Sequence, residues 1–223
     1  MDNKVLVLIP AYNESRAIQQ VVQQCLAYLP VLVVDDGSKD NTVNRVRQTA
    51  AQLIEVKPNQ GKGNALKTGF RWALQHGYTG VITVDADGQH DPEEIPRFLD
   101  NIQTEQADLL IGYRDFSQMP CSRRLANTTG QKLFSWAMRQ LIRDNQSGYR
   151  YLSKTLMEKT LDNPLSGYEF EVENILTCLQ QGLKLGWLPI KTIYGEEKSH
   201  IQPLRHVVRF ISLVFRVRKA TKA

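Results

Sequence analysis

The chain has 223 residues, 42% of them hydrophobic and 23% charged, with 14 Gly, 9 Pro, 3 Cys and a formal net charge of +5. This excludes a disordered or collagen-like chain, and the length suits one large α/β domain that buries about 70% of its unfolded surface. Three scattered cysteines (Cys25, Cys121, Cys178) with no CxxC argue against a disulfide framework or a zinc site.

In chain order, Val5–Ile9 reads as a buried strand, and Ile18, Val21, Val22, Cys25 and Leu29 repeat at helical spacing after an Asn13-Glu14-Ser15 start signal. Val31–Val34 is a second strand, followed by a helix from near Asp40 marked by Val43, Val46 and Ala50. Leu53–Val56 is a third strand, with a helix from about Lys62 to the Gly77 stop. Val81–Val84 is a fourth, Pro92 suits the first turn of a helix through Ile102, and Asp108–Ile111 is a fifth. Helical patterns near Cys121–Arg143 and Tyr168–Gln181 precede a predicted Trp187–Tyr194 strand. Apolar strands alternating with helices predict an α/β fold with a mainly parallel central sheet covered on both faces. Its chemistry belongs at the carboxyl ends of the strands.

Charge is uneven along the chain. Seven basic residues and no acid lie from Lys198 onward, so the body is nearly neutral and a nucleic-acid partner is disfavoured. From Leu204 the apolar residues Leu204, Val207, Val208, Ile211, Val214 and Phe215 share a helical face opposite Arg205, Arg209, Arg216 and Lys219. That pattern fits an anionic membrane surface, or a terminal helix packed on the body or on another copy. Neither the five-residue run Val5–Ile9 nor Phe210–Phe215 is long enough for a signal core or a bilayer span, which needs about 20 residues. The expected location is cytoplasmic, peripheral on the membrane face.

Four strand-end segments carry candidate chemistry. Pro10-Ala11-Tyr12-Asn13-Glu14 is either a capped strand-to-helix turn or a ligand loop. Asp35-Asp36-Gly37-Ser38 is either ordinary turn chemistry or a pair of carboxylates set to accept from a base or ribose. Gly61-Lys62-Gly63 fits neither a dinucleotide fingerprint nor a P-loop; it is a plain basic loop, or one bringing Lys62 and backbone N–H groups to a diphosphate. Asp85-Ala86-Asp87-Gly88-Gln89 can set two carboxylates and an amide oxygen on one hard cation, Mg²⁺ or Mn²⁺, the alternative being a solvated acidic turn. His90 reads as a turn residue rather than a ligand.

In this order the segments IPAYNE (9–14), VVDDGSKDNT (33–42), GKGNALKTGF (61–70), VDADGQHDPEEIP (84–96), IGYR (111–114) and DNQSGYR (144–150) resemble the family-2 glycosyltransferases of the GT-A fold, specifically the dolichyl- or polyprenyl-phosphate sugar synthases. The resemblance covers roughly residues 4–203; residues 1–203 are taken as the catalytic domain, with 204–223 as the basic helix. It implies inverting transfer of a hexose from a nucleotide-diphospho-sugar to a polyprenyl phosphate. Pro10, Ala11, Tyr12, Glu14, Asp35, Asp36, Lys62 and Ala86 would hold the donor nucleotide, and Asp85, Asp87 and Gln89 the cation. Asp85, Asp87, Arg114 and Arg123 would form the catalytic set, with Arg114, Arg123 and Asn127 on the acceptor phosphate. Lys198 would close over the donor diphosphate.

The alternatives are a hydroxyl acceptor on a glycan, lipid or protein, and a non-catalytic sugar-nucleotide-binding partner. A hydroxyl acceptor would need a carboxylate base from Glu169, Glu171 or Glu173, where a solvated helix face is the plainer reading. The sequence departs from the resemblance at Asn127, where a Ser is common, and at Glu196–His200, where many members carry an Arg ahead of Gly-x-Ser-Lys. It has no QxxRW motif, which disfavours a processive polymerase.

Overall fold

The computed structural model describes residues 4–116, 121–167, 169–191 and 214–218, with backbone alone for 121–123, 125 and 126. Seven strands form one sheet: β1 (Val5–Ala11), β2 (Val31–Asp35), β3 (Gln52–Glu55), β4 (Gly80–Thr83), β5 (Leu109–Arg114), β6 (Arg150–Ser153) and β7 (Leu185–Ile190). Their order is β3-β2-β1-β4-β6-β5-β7. β1, β2, β3 and β4 run parallel to one another, as do β5 and β7, and only β6 runs antiparallel to its neighbours.

The side chains of β1 alternate between two cores, as the two-residue period of a strand requires. Leu6 and Leu8 join one cluster with Leu66, Phe70, Phe134, Leu156 and Phe170. Val5, Val7 and Ile9 join the other with Ile18, Val22, Ile95 and Phe98. The first layer comprises α3 (Lys62–Gln75), α5 (Cys121–Met138), α6 (Lys154–Thr160) and α7 (Glu169–Gln180); the second comprises α1 (Ile18–Leu26), α2 (Thr42–Arg47) and α4 (Ile95–Glu105). Gly69 lets α3 approach β1, because a Cβ there would lie 2.3 Å from Leu8 Cδ1. Each fully buried Val, Leu or Ile in these layers contributes about 1.5–3 kcal/mol.

The predicted alternation of strands and helices through the first half is present, with different ends. α1 stops at Leu26 rather than Leu29, and α2 at Arg47 rather than at Ala50. The expected start signal for α1 does not cap it: Ala17 is the N-cap with no side-chain bond, while Asn13 sits at φ 57° and its Oδ1 accepts from Lys39 N–H at 2.8 Å. The last strand begins at Leu185 and ends at Ile190, and its predicted continuation to Tyr194 lies outside the described residues. β6 and α6 have no counterpart in the sequence reading.

Two features of this topology create the site. The chain leaves β1 outward to β2 and β3, then returns to β4 on the other side, so a crevice opens at the carboxyl ends of β1 and β4. The antiparallel course of β6 brings the residues just before it, 144–149, to that same edge.

Burial raises the Cys25 and Cys178 thiols and the Tyr151 phenol to about 12, and lifts Tyr149 above its ordinary value. These groups keep their protons in the fold while the unfolded chain loses them from about pH 8.5 for thiols and about 10 for phenols, so stability falls as pH rises. Unfolding free energies from urea titrations between pH 8 and 11 should decline by about 1.4 kcal/mol per pH unit for each group titrating only when unfolded. A flat profile would contradict this burial.

Candidate active site at the carboxyl edge of the sheet

The loops after β1 and β2 are fastened to each other. Ser38 Oγ accepts from Asn13 N–H at 2.9 Å, Thr42 Oγ1 from Glu14 N–H at 2.8 Å, and Asp40 Oδ2 from Ser15 N–H at 3.1 Å. The polar residues that resemble a helix cap in sequence are thus spent on a loop-to-loop seam. Asp36 holds the next loop in turn: its two oxygens accept from Gln60 N–H at 2.9 Å and Gly61 N–H at 2.7 Å. Gly61 needs its freedom here, with φ 95° and a would-be Cβ 2.6 Å from Ser166 O.

These loops enclose a cleft of about 350 Å³ lined by Pro10, Ala11, Tyr12, Glu14, Asp36, Lys62, Asp85, Ala86 and Asp87, together with Asn59, Gly61 and Ala65. Seven of the eight residues expected around a donor nucleotide therefore share one concavity. The eighth, Asp35, is fully buried, its Oδ2 accepts from Ser38 N–H at 3.0 Å, and it is not among the lining residues. Asp35 is the last residue of β2 and faces inward, so of the two adjacent aspartates Asp36 is the one that lines the cleft. The backbone N–H groups of Gly63 and Asn64, expected near a diphosphate, both donate to Ser166 O, at 2.7 and 3.3 Å. From that loop the side chain of Lys62 reaches the cleft.

Lys62 stands between two carboxylates. Its Nζ is 2.6 Å from Asp85 Oδ1 and 3.2 Å from Glu171 Oε1. Burial would lower the ammonium's pKa, but the two carboxylates outweigh it and raise it. Burial likewise opposes ionisation of Asp85, yet Lys62 foremost, then His90 and Arg114, hold its carboxyl below the usual range. His90 supports the loop from beneath: its Nδ1 accepts from Asp85 N–H at 3.1 Å, which leaves the proton on Nε2, 3.8 Å from Asp85 Oδ2. Its ring stacks on Tyr149 at 5.0 Å, and burial draws its pKa down. Gly148 packs against the same carboxylate, since a Cβ there would meet Asp85 Oδ2 at 2.4 Å.

Asp85 and Asp87 offer hard oxygen donors on one loop facing the cleft, the chemistry that Mg²⁺ or Mn²⁺ accepts. Among the described residues no group of three or more His, Cys, Asp or Glu is arranged to hold a metal ion. Such an ion would take its remaining ligands from amide, water and phosphate oxygens, which suits a cation that keeps waters and binds substrate phosphates. The third expected ligand, Gln89, does not line the cleft; its N–H donates to Asp87 Oδ1 at 3.0 Å.

Arg114 borders a second cavity of about 410 Å³, with Tyr113, Asp115, Phe116, Gln131, Arg143 and Pro189. Its guanidinium is held by the buried Asp144 through Nε at 2.7 Å and Nη2 at 3.1 Å, and that carboxylate also accepts from Gln146 and Ser147 N–H. The expected catalytic set is thus divided, the two aspartates on one cavity and Arg114 on the other. The side chain of Arg123 and all of Lys198 lie outside the described residues; Asn127 is half-buried on α5.

Sequence reasoning missed Asp144, Arg150 and the position of Glu171. Arg150 is fully buried, donating to the backbone carbonyls of Ser147, Asn145 and Glu171, which ties the loop before β6 to α7. Helical spacing paired Glu169 with Glu173, but Glu171 is the one that turns inward to Lys62, while Glu173 pairs with Arg216.

The family described as Glycosyl transferase family 2 matches residues 6–163, well over half of the chain. Among curated relatives, the undecaprenyl-phosphate mannosyltransferase of Micrococcus luteus is 33% identical over 211 residues, covering 86% of this chain and 85% of its own. The UDP-N-acetylglucosamine–dolichyl-phosphate N-acetylglucosaminyltransferase of Methanococcus voltae is 31% identical over 222 residues, covering 87% and 88%. Among solved structures, glucosyl-3-phosphoglycerate synthase of Mycobacterium tuberculosis, determined with Mn²⁺, UDP-glucose and phosphoglyceric acid, superposes with a TM-score of 0.78 at 19% identity, covering 98% of this chain and 80% of that one. The GT-A fold class expected from the sequence holds.

The Arg114–Asp144 pair yields a stability test. Asp144→Asn removes a carboxylate that is 1% exposed and with it the ion pair to the Arg114 guanidinium. Urea denaturation should register a loss of about 3 kcal/mol, the lower end for a broken buried pair. Glu158→Gln, from an exposed pair with Lys154, should stay within about 0.5 kcal/mol.

Proposed function

Since the chain belongs to glycosyl transferase family 2, and is therefore an enzyme, we propose that it transfers a hexose, with inversion, from a nucleotide-diphospho-sugar to a polyprenyl phosphate. The observation that carries this reading is the pairing of an acid-lined cleft, holding Asp36, Lys62, Asp85 and Asp87, with an arginine-bearing cavity at Arg114. The names of the relatives, which act on undecaprenyl and dolichyl phosphates, support the lipid-phosphate acceptor.

In this reading Pro10, Ala11, Tyr12, Glu14, Asp36 and Ala86 grip the nucleoside, and Lys62 turns part of its charge to the diphosphate. Asp85 and Asp87, with Gln89, would hold Mg²⁺ or Mn²⁺, which offsets the negative charge that grows on the departing diphosphate. Arg114, with Arg123 and Asn127, holds the acceptor phosphate. One of its oxygens attacks the anomeric carbon from the face opposite the leaving group; that C–O bond forms as the bond to the diphosphate breaks, and the electron pair leaves with the diphosphate. A phosphate is already anionic near neutral pH, so it needs positioning more than a base. That fits Glu171, which is committed to Lys62, and Glu173, which is committed to Arg216. The catalytic unit is read as residues 1–203, working at the cytoplasmic leaflet. Among the described residues no helix is long and apolar enough to cross a membrane.

The experiment is a radiolabelled nucleotide-sugar panel with Mg²⁺ or Mn²⁺ and short-chain polyprenyl phosphate, followed by organic extraction. Label should enter the organic phase, vanish with EDTA, and fall by about 100-fold or more in Asp87→Ala, the scale on which removal of a preorganised charge-stabilising group acts. Label found only in water-soluble glycan would overturn the lipid-phosphate acceptor.

A further inference from the structure

Exposed large apolar side chains concentrate around the end of α5. Leu133 and Trp136 stand one turn apart on its outer face, 38% and 51% exposed, and Leu141 is 61% exposed on the turn that follows. That turn folds back on the helix, because Ser135 Oγ accepts from Ile142 N–H at 3.0 Å and Gln140 N–H donates to Ser135 O. Residues 214–218 complete the patch. Val214 and Val217 are buried in the body, the Arg218 guanidinium covers the Trp136 ring at 4.7 Å, and Phe215 stays 63% exposed. So the apolar face expected to offer itself outward from the tail is, in this described stretch, partly used to pack the tail onto α5.

The described segments that form this patch are rich in cations. Residues 121–143 and 214–218 hold seven of the 28 basic residues and none of the 23 acidic ones, with Arg216 paired to Glu173 of α7. Lys132, Arg139 and Arg143 are exposed on α5 and its turn, and Arg143 also lines the Arg114 cavity and stacks on Tyr113 at 4.9 Å. Trp, Leu and Phe side chains ringed by Lys and Arg have the make-up of an interfacial surface: apolar side chains enter the headgroup region while the cations meet anionic lipid. A contact with another protein would not require acidic residues to be absent over two separate stretches of chain.

We propose that the outer face of α5, with its following turn and Phe215, is a docking surface for an anionic phospholipid bilayer, setting the Arg114 cavity at the membrane. The proposal deepens the lipid-phosphate reading and rests on it for its purpose. An acceptor whose phosphate lies at the headgroup level could then enter that cavity without its prenyl chain leaving the bilayer.

The test is flotation of the full chain with vesicles of phosphatidylcholine alone and of phosphatidylcholine with phosphatidylglycerol. The protein should float with the anionic vesicles, release at 1 M salt as expected for screened charges, and stay behind with phosphatidylcholine. Trp136→Ser/Leu141→Ser should lower co-flotation by about tenfold or more, which corresponds to one decade of affinity, while transfer to detergent-dispersed short-chain acceptor stays unchanged. Equal flotation of variant and parent would overturn the docking surface. So would a parent dimer that the substitutions convert to monomer in light scattering with no change in flotation. Absence of transfer to the detergent-dispersed acceptor by either protein, with flotation as expected, would count against the function and leave the surface standing.

Discussion

A lysine held between two carboxylates organises this site. Lys62 begins α3, Asp85 lies on the loop two residues past β4, and Glu171 lies in the first turn of α7, so one ammonium joins three segments far apart in sequence. Without it, Asp85 and Glu171 would be two partly desolvated negative charges at the floor of a cleft, an arrangement that costs several kcal/mol per ion unless compensated. Gly63 and Phe170 show the same convergence, since a Cβ at residue 63 would lie 2.7 Å from the Phe170 Cβ. The close seating of α3 on the residues before α7 is what lets so short a reach connect Lys62 with both acids.

The same arrangement prepares the site for anions. A cleft walled by Glu14, Asp36, Asp85 and Asp87 would repel a diphosphate, and Lys62 is the cation that the fold itself supplies there. A divalent ion on Asp85 and Asp87 would add to that positive charge. Arg114 extends it toward the second cavity, close enough that its charge helps keep Asp85 ionised.

The parallel part of the sheet was legible because runs such as Val5–Ile9 and Val31–Val34 are apolar on both faces, a pattern strands show only when covered from two sides. β6 was illegible for the opposite reason: Arg150-Tyr151-Leu152-Ser153 is four residues long and opens on an arginine. That arginine is buried because carbonyls from residues 145, 147 and 171 surround it, and no local pattern reveals this. Motif spacing located the cleft well, since strand ends converge wherever parallel strands do. It could not tell Asp35 from Asp36, because one residue of register decides which carboxylate faces outward. Glu171 was hidden likewise: helical spacing groups residues into faces, but which face meets Lys62 depends on how α7 is rotated.

The loop ahead of β6 touches both cavities. Asp144 grips Arg114 on one side, and four residues later Gly148 packs against the Asp85 carboxylate on the other. The interval between the Asp85 side and the Arg114 side of the site is therefore set by the covalent length of a pentapeptide, with both ends clamped, rather than by the looser packing of helices. One residue inserted there would shift the two halves of the site out of step while leaving both cores intact. This short stretch serves as the enzyme's ruler.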